Sequence, residues 1–225
     1  MADQRESLQI RRHKQLARVG EFLRLDSFEV VYRFLDADGN PVEQILPRVN
    51  VHRGDAVSGL LHYKSTNEIR LVDQFRFSTL LDPASGLPDL ARFHQQRTYD
   101  GDGRFIELMA GNIMPGEPAR VAFRRETFEE TGYQLEEDRF IASFYPSPGA
   151  CSERIHLYYG RIDEAKGRDE TKHFGVDDEY IRDVRVSPQR FLDMIVKNEI
   201  KDAKAYAAAE WMRRAENREL FGFQP

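Results

Sequence analysis

The sequence predicts a mixed α/β (α+β) fold. Two observations carry that expectation: many short runs rich in β-branched and aromatic residues, and interspersed stretches whose apolar residues recur at helical spacing. A third, the lack of a regular βαβ rhythm, argues against a parallel doubly wound sheet.

Taken in order, residues 1–19 form a polar, charged arm that could be helical. Phe28 to Leu35 reads as a strand. The turn signal Asp36-Ala37-Asp38-Gly39-Asn40 follows, then Val42 to Val51, together predicting a hairpin. Ala56 to His62 and Ile69 to Phe75 form a second strand pair, joined by a turn over Lys64 to Asn67. Residues 82–103 contain Pro83, Gly86, Pro88, Gly101 and Gly103 with weak periodicity. A connection this long in a compact domain is usually functional or disordered, and a lid or dimer contact that tunes substrate choice is expected of it. A short strand at Phe105 to Ala110 leads through a glycine-rich turn into a helix over Pro118 to Thr131. Strands are expected at Phe140 to Tyr145, Ile155 to Ile162 and Ile181 to Val186, and closing helices at Pro188 to Val196 and Asp202 to Asn217. The organisation expected is an N-terminal arm with β-strands over 1–50 and a main domain over 51–225.

Composition narrows the function classes. The 225 residues are 40% apolar and 32% charged, an ordinary globular balance. A net charge of −5 argues against nucleic acid or an anionic membrane as main partner. No apolar run approaches the roughly 20 residues needed to cross a bilayer, and the charged N-terminus lacks a signal-like stretch. The single cysteine, Cys151, excludes an internal disulfide or a cysteine zinc site. A cytoplasmic location is the expectation.

One segment concentrates chemistry: Gly111-Asn-Ile-Met-Pro-Gly-Glu117, then Arg125-Glu126-Thr127-Phe128-Glu129-Glu130-Thr131-Gly132-Tyr133. Glu126 and Glu130 fall one helical turn apart on one face, with Glu129 close by. Carboxylates packed so closely repel unless a cation or an arginine compensates. Arg125 can serve Glu129, which leaves Glu126 and Glu130 for a hard divalent ion such as Mg²⁺. On spacing alone, a solvated acidic helix face is the ordinary alternative.

The whole pattern resembles the Nudix box, G-x5-E-x7-R-E-U-x-E-E-x-G-U. Gly111, Glu117, Arg125, Glu126, Glu129, Glu130 and Gly132 match all seven fixed positions. A chance match has odds of roughly one in a million at background frequencies. Thr127 departs from the bulky apolar residue usual at the first U position and could loosen helix packing, although it removes no ligand. Downstream, Ser147-Pro148-Gly149 with Ser152-Glu153-Arg154 resembles a stretch of ADP-ribose pyrophosphatases. So do Ile69 to Arg76, ending in Gln-x-Arg, and Arg48 to Gly54.

This resemblance implies a Nudix fold, a mixed sheet sandwiched between helices with an N-terminal hairpin extension. It also implies homodimers that exchange N-terminal strands, here Phe28 to Val51. By carry-over, Glu126, Glu130 and the Ala110 carbonyl would bind Mg²⁺, with Mn²⁺ a possible substitute. Glu129 would be a further ligand or catalytic support acting through Arg125, and Glu117 a structural residue or outer ligand. The base would lie in the acidic loop Asp177-Asp178-Glu179, Glu179 first and Asp177 second. Arg48 and Arg76 would bind substrate and Glu153 would help bind substrate or metal, a salt-bridge role being the alternative for each. The implied reaction is hydrolysis of ADP-ribose to AMP and ribose 5-phosphate. Its alternative is another nucleoside-diphosphate sugar (GDP-mannose, UDP-glucose or ADP-glucose). A non-catalytic nucleotide sensor is disfavoured, because all the box carboxylates are retained and no basic helix–turn–helix accompanies them.

Overall fold

The computed structural model describes residues 7–20, 23–80, 103–166 and 181–224. The chain divides into two compact units, Met1–Asp55 with Phe144–Ile155, and Ala56–Ser143 with His156–Pro225.

The first unit is a three-stranded antiparallel meander of β1 (Ser7–Val19), β2 (Leu23–Leu35) and β3 (Pro41–His52), in that spatial order. The β2–β3 turn forms as expected from its residues. The Asp36 carboxylate accepts the backbone N–H groups of Asp38 and Asn40 at 3.0 and 2.8 Å, and Gly39 takes the positive φ of 83° that the turn requires. The end of β3 holds the segment before Ile155: Val51 N–H donates to the Ala150 carbonyl at 2.7 Å, and Ser152 N–H donates to that of Val51 at 3.1 Å.

Of the arm over residues 1–19 that could be helical from its sequence, the described part is not. Residues 7–19 are a strand, paired along its length with β2. Leu8 and Ile10 alternate with polar neighbours as a strand requires, but register shifts between Ile10 and Arg12 and between Gln15 and Ala17 interrupt the period.

In the second unit the sheet runs β10 (Arg182–Val186), β5 (Glu68–Phe75), β4 (Ala56–Tyr63), β9 (Ile155–Ile162), β8 (Leu135–Phe144). Strands β4 and β5 pair near their connecting turn, Leu61 to Tyr63 against Glu68 to Arg70, and then part. The chain fills the fork with two four-residue strands rather than the single strand expected. β6 (Arg104–Glu107) pairs with β5, and β7 (Met109–Asn112) pairs with β4. Leu108, fully buried, sits at the changeover.

Helices cover both faces of this sheet. On one, α1 (Ala119–Thr131) packs through Phe123 against Val57, Leu61 and Tyr63 of β4 and Tyr158 and Ile162 of β9. Gly59 and Gly160 make that approach possible, since a Cβ at either would lie 2.5 or 2.9 Å from the Phe123 ring. On the other face His62 and Tyr159, alternate in strand phase, meet Trp211 and Phe221 from the C-terminal segment. That segment holds α2 (Pro188–Val196), capped by the Ser187 hydroxyl, and α3 (Ala203–Arg213), capped by Asp202. The helix expected to run to Asn217 breaks at Arg214 (ψ 140°) and resumes as the short α4 (Ala215–Arg218). Among the described residues no helix is long and apolar enough to cross a membrane.

Candidate active site

Everything in the site depends on how α1 is fixed. Among the described residues, no side chain caps its first turn and none of its first-turn residues is acidic. N-terminal capping therefore contributes little, and tertiary contacts help to hold the helix. Ala122, Phe123, Thr127 and Thr131 form its buried face. Thr127, the departure from the box pattern, is fully buried, and its hydroxyl donates to the Phe123 carbonyl at 2.8 Å. The packing is not loosened: the hydroxyl is satisfied within the helix. The helix ends on Gly132, whose φ of 73° gives a left-handed cap.

Arg125 ties the preceding loop to this helix. Its Nε and Nη2 donate to the two oxygens of Glu117 at 2.9 Å each, Nη2 also to the Asn112 carbonyl at 3.0 Å, and Nη1 to Glu126 and Glu129 at 2.8 and 2.9 Å. Glu117 also accepts the Met114 N–H at 3.0 Å. With the Arg125 guanidinium first and that N–H second, its carboxyl is held down at about 2. Glu117 thereby braces the loop.

Glu126 and Glu130 face the opposite electrostatic situation. Their side chains are 16% and 12% exposed. Burial pushes both carboxyls upward, against Arg125 for Glu126 and Arg70 for Glu130. The neighbouring charges of Glu129 and Glu117, and of Glu126 and Asp183, add to the rise. Two carboxylates about 6 Å apart, as i and i+4 neighbours are, repel by about 3 kcal/mol at an effective dielectric of about 20. Gly111 lies against Glu126; a Cβ there would fall inside its carboxylate. Gly111 belongs to β7, opposite Val57, and the preceding Ala110 stands opposite Ser58.

Among the described residues no three His, Cys, Asp or Glu side chains converge on a ready metal cage. The carboxylates turn to Arg125 and Arg70 instead. The fit to a divalent ion is nevertheless good: the donors are all oxygen, the two arginines are shared with Glu117, Glu129 and Asp183 and so compensate the pair only in part, and the bare backbone of Gly111 adjoins Glu126. Mg²⁺ in particular needs few protein ligands beside water and substrate phosphates.

The other residues singled out from sequence are spread more widely. Arg48 is exposed on β3, its Nη1 donating to the Pro47 carbonyl at 2.8 Å. Arg76 directly follows β5 and donates from Nε to Glu107 at 2.7 Å. Glu153 is 8% exposed and pairs with Arg53 at 3.3 Å, whereas Arg154 forks onto Asp55. Asp177, Asp178 and Glu179 lie outside the described residues, as do residues 82–102.

Sequence reasoning missed two groups. One is a buried network in which Glu107 accepts from Gln74, Arg76 and Lys204, while Asp202 takes the Leu108 N–H at 3.0 Å and Lys204 Nζ at 2.8 Å. The other is Arg70, 3% exposed between Glu130 and Asp183. A charged residue inside the buried run Ile69 to Val72 was the available signal for Arg70.

The family model for the NUDIX domain matches residues 90–212, which is 123 of the 225 residues. The chain belongs to the NUDIX domain family. Its sequence is 29% identical over 184 residues to a GDP-mannose pyrophosphatase of Klebsiella pneumoniae, covering 82% of each chain. It is 30% identical over 175 residues to the GDP-mannose pyrophosphatase of Cronobacter sakazakii, covering 78% of this chain and 81% of that one. In fold it matches the crystal structure of an ADP compounds hydrolase with a TM-score of 0.60 and 16% identity, over 92% of this chain and 94% of that one. The protein is therefore a Nudix hydrolase, and the loop–helix from Gly111 to Gly132 is its Nudix box.

Proposed function

We propose that this Nudix hydrolase cleaves the diphosphate bridge of a nucleoside-diphosphate sugar in a Mg²⁺-dependent reaction, with GDP-mannose as the leading substrate. The observation that carries the reading is the pair of buried, under-compensated carboxylates, Glu126 and Glu130, beside the bare backbone of Gly111. The names of the two relatives move the substrate from ADP-ribose, the first expectation from sequence, towards GDP-mannose.

In this reading Glu126, Glu130 and the Ala110 carbonyl hold the metal, with Glu129 in reserve on Arg125. Bound divalent ions would neutralise the diphosphate, polarise the scissile P–O bond and lower the pKa of the attacking water. Arg76 and Arg48 are the guanidinium forks suited to phosphate or terminal ribose, and Glu153 is the third substrate contact. Glu179, then Asp177, is the base that takes the proton from water.

The homodimer belongs to the same proposal. The N-terminal sheet buries one apolar residue among its described positions, Val31, while Leu8 and Ile10 stay 70% and 63% exposed. A small sheet with so little core needs a second surface, which another copy of residues 1–50 would supply.

The test is release of nucleoside monophosphate from GDP-mannose, ADP-ribose, ADP-glucose and UDP-glucose, with Mg²⁺, Mn²⁺ or EDTA. GMP and mannose 1-phosphate formed fastest, and only with metal, are expected. A preference for ADP-ribose, yielding AMP and ribose 5-phosphate, restores the first expectation. Cleavage of none by folded protein rejects this substrate class.

A further inference from the structure

Arg70 is a charged residue where neither the sheet nor the box pattern asks for one. Its neighbours Ile69, Leu71 and Val72 are all buried on β5, and its own side chain is 3% exposed. Burying a guanidinium is costly unless its hydrogen bonds are met, and an aliphatic side chain would fill the same place without that cost. Two carboxylates meet it. Nη1 donates to Oε2 of Glu130 at 2.9 Å, and Nε and Nη2 reach Oδ1 of Asp183 at 2.8 and 2.7 Å.

Those partners come from different elements. Glu130 is on α1, the helix that carries the box, and Asp183 is on the edge strand β10, paired opposite Val72. Strand β10 is itself held to the sheet by its antiparallel pairing with β5, and the Arg185 guanidinium stacks 3.7 Å over the Tyr63 ring as well. The Arg70 plane is thus set by the sheet through two contacts with Asp183, and it engages Glu130 through one. The last torsion of a glutamate is broad, so a partner is needed to define the rotation of its carboxylate. Productive geometry at a functional centre needs ligands held to about 0.5 Å and 10–20°.

We propose that Arg70 is a positioning residue for metal binding: anchored on Asp183, it fixes the rotation of the Glu130 carboxylate so that its other oxygen is offered to the ion. The proposal rests on the reading of Glu130 as a metal ligand. It goes beyond that reading because Arg70 and Asp183 lie outside the Nudix box.

The experiment measures Mn²⁺ binding to metal-free protein without substrate, by electron paramagnetic resonance of the free ion. It is followed by the metal dependence of kcat and the substrate KM. The variants are Arg70→Met, Arg70→Lys, Asp183→Asn and Glu130→Gln, each checked for folding by its melting temperature in EDTA. Arg70→Met should weaken Mn²⁺ binding roughly 10–100-fold, the usual loss for a residue that orients a ligand, and leave substrate KM at saturating metal near wild type. Arg70→Lys keeps the charge but cannot fork onto both carboxylates, so it should recover only part of the loss. Asp183→Asn should weaken binding in the same direction by less. If Arg70→Met does not fold, the lysine and asparagine variants carry the test. Mn²⁺ binding by folded Arg70→Met as tight as wild type, or tighter, would overturn the proposal, leaving Arg70 an ordinary buried ion pair or a repelling charge. Wild-type Mn²⁺ binding by Glu130→Gln would instead remove the metal-ligand reading, and this one with it.

Discussion

Replacing Gly111 by alanine should separate activity from stability. The added Cβ would fall inside the Glu126 carboxylate, and the atoms it meets, Cδ, Oε2 and Cγ, all belong to that one side chain. Glu126 is the tip of a flexible group, so it swings aside and the backbone stays. The stability cost is the partly exposed Arg125–Glu126 pair, about 0.2–1 kcal/mol. Gly111 is not among the positive-φ glycines. Alanine therefore recovers about 0.4–1 kcal/mol by restricting the unfolded chain. The net should lie within about 1 kcal/mol, or about 2–4 °C in melting temperature for a chain of this size. Catalysis is less forgiving, since a misplacement of about 1 Å at a reacting centre costs about a hundredfold. The assay pairs calorimetry in EDTA with kcat at saturating Mg²⁺ on the best substrate of the panel. A variant melting within a few degrees of wild type but retaining more than about a tenth of its kcat would refute the placement of Glu126 in the metal site.

Other outcomes follow from the same geometry. Glu130→Gln should still bind a non-hydrolysable substrate analogue, yet lose more turnover than the 10–100-fold typical of residues behind a ligand; near-normal kcat would contradict its role. Glu117, held at about 2, contributes stability that is complete above its unfolded value of 4.5 and lost as pH falls towards 2. The melting-temperature gap between wild type and Glu117→Gln should therefore be widest near neutrality and close in acid. Glu126 and Glu130 carry the reverse sign. Their raised carboxyls cost stability as pH climbs from 4.5 through the folded values, so stabilisation by Mg²⁺ should grow over that window; a pH-independent Mg²⁺ shift counts against them as ligands. Lys204→Met strips buried Glu107 and Asp202 of a shared cation. It should cost about 3–5 kcal/mol, read as a fall in the urea midpoint at unchanged slope.

What the sequence discloses tracks the distance over which each feature is built. The Nudix box is legible because one loop and one helix supply Gly111, Glu117, Arg125, Glu126 and Glu130 within 20 residues, and the chemistry fixes their spacing. The contacts that aim those residues are of another kind. Arg70 lies 60 positions from Glu130 and 113 from Asp183, and Lys204 lies 97 from Glu107. No local period could pair them, since each depends on which strands become neighbours.

The misread elements lie where strand pairing is irregular. Bulges interrupted the alternation of β1, and the parting of β4 from β5 divided one expected strand into β6 and β7. That division also shapes the site. Because β4 and β5 separate, β7 can cross to β4 and carry Gly111 up to the Glu126 carboxylate, while β6 stays on β5 and presents Glu107 to Arg76. One fork thus serves both the candidate metal carboxylate and the candidate substrate arginine. Leu108, at its changeover, is fixed by the Asp202 carboxylate that also caps α3. The C-terminal helix is therefore part of how the box is held, although none of its residues belongs to the box.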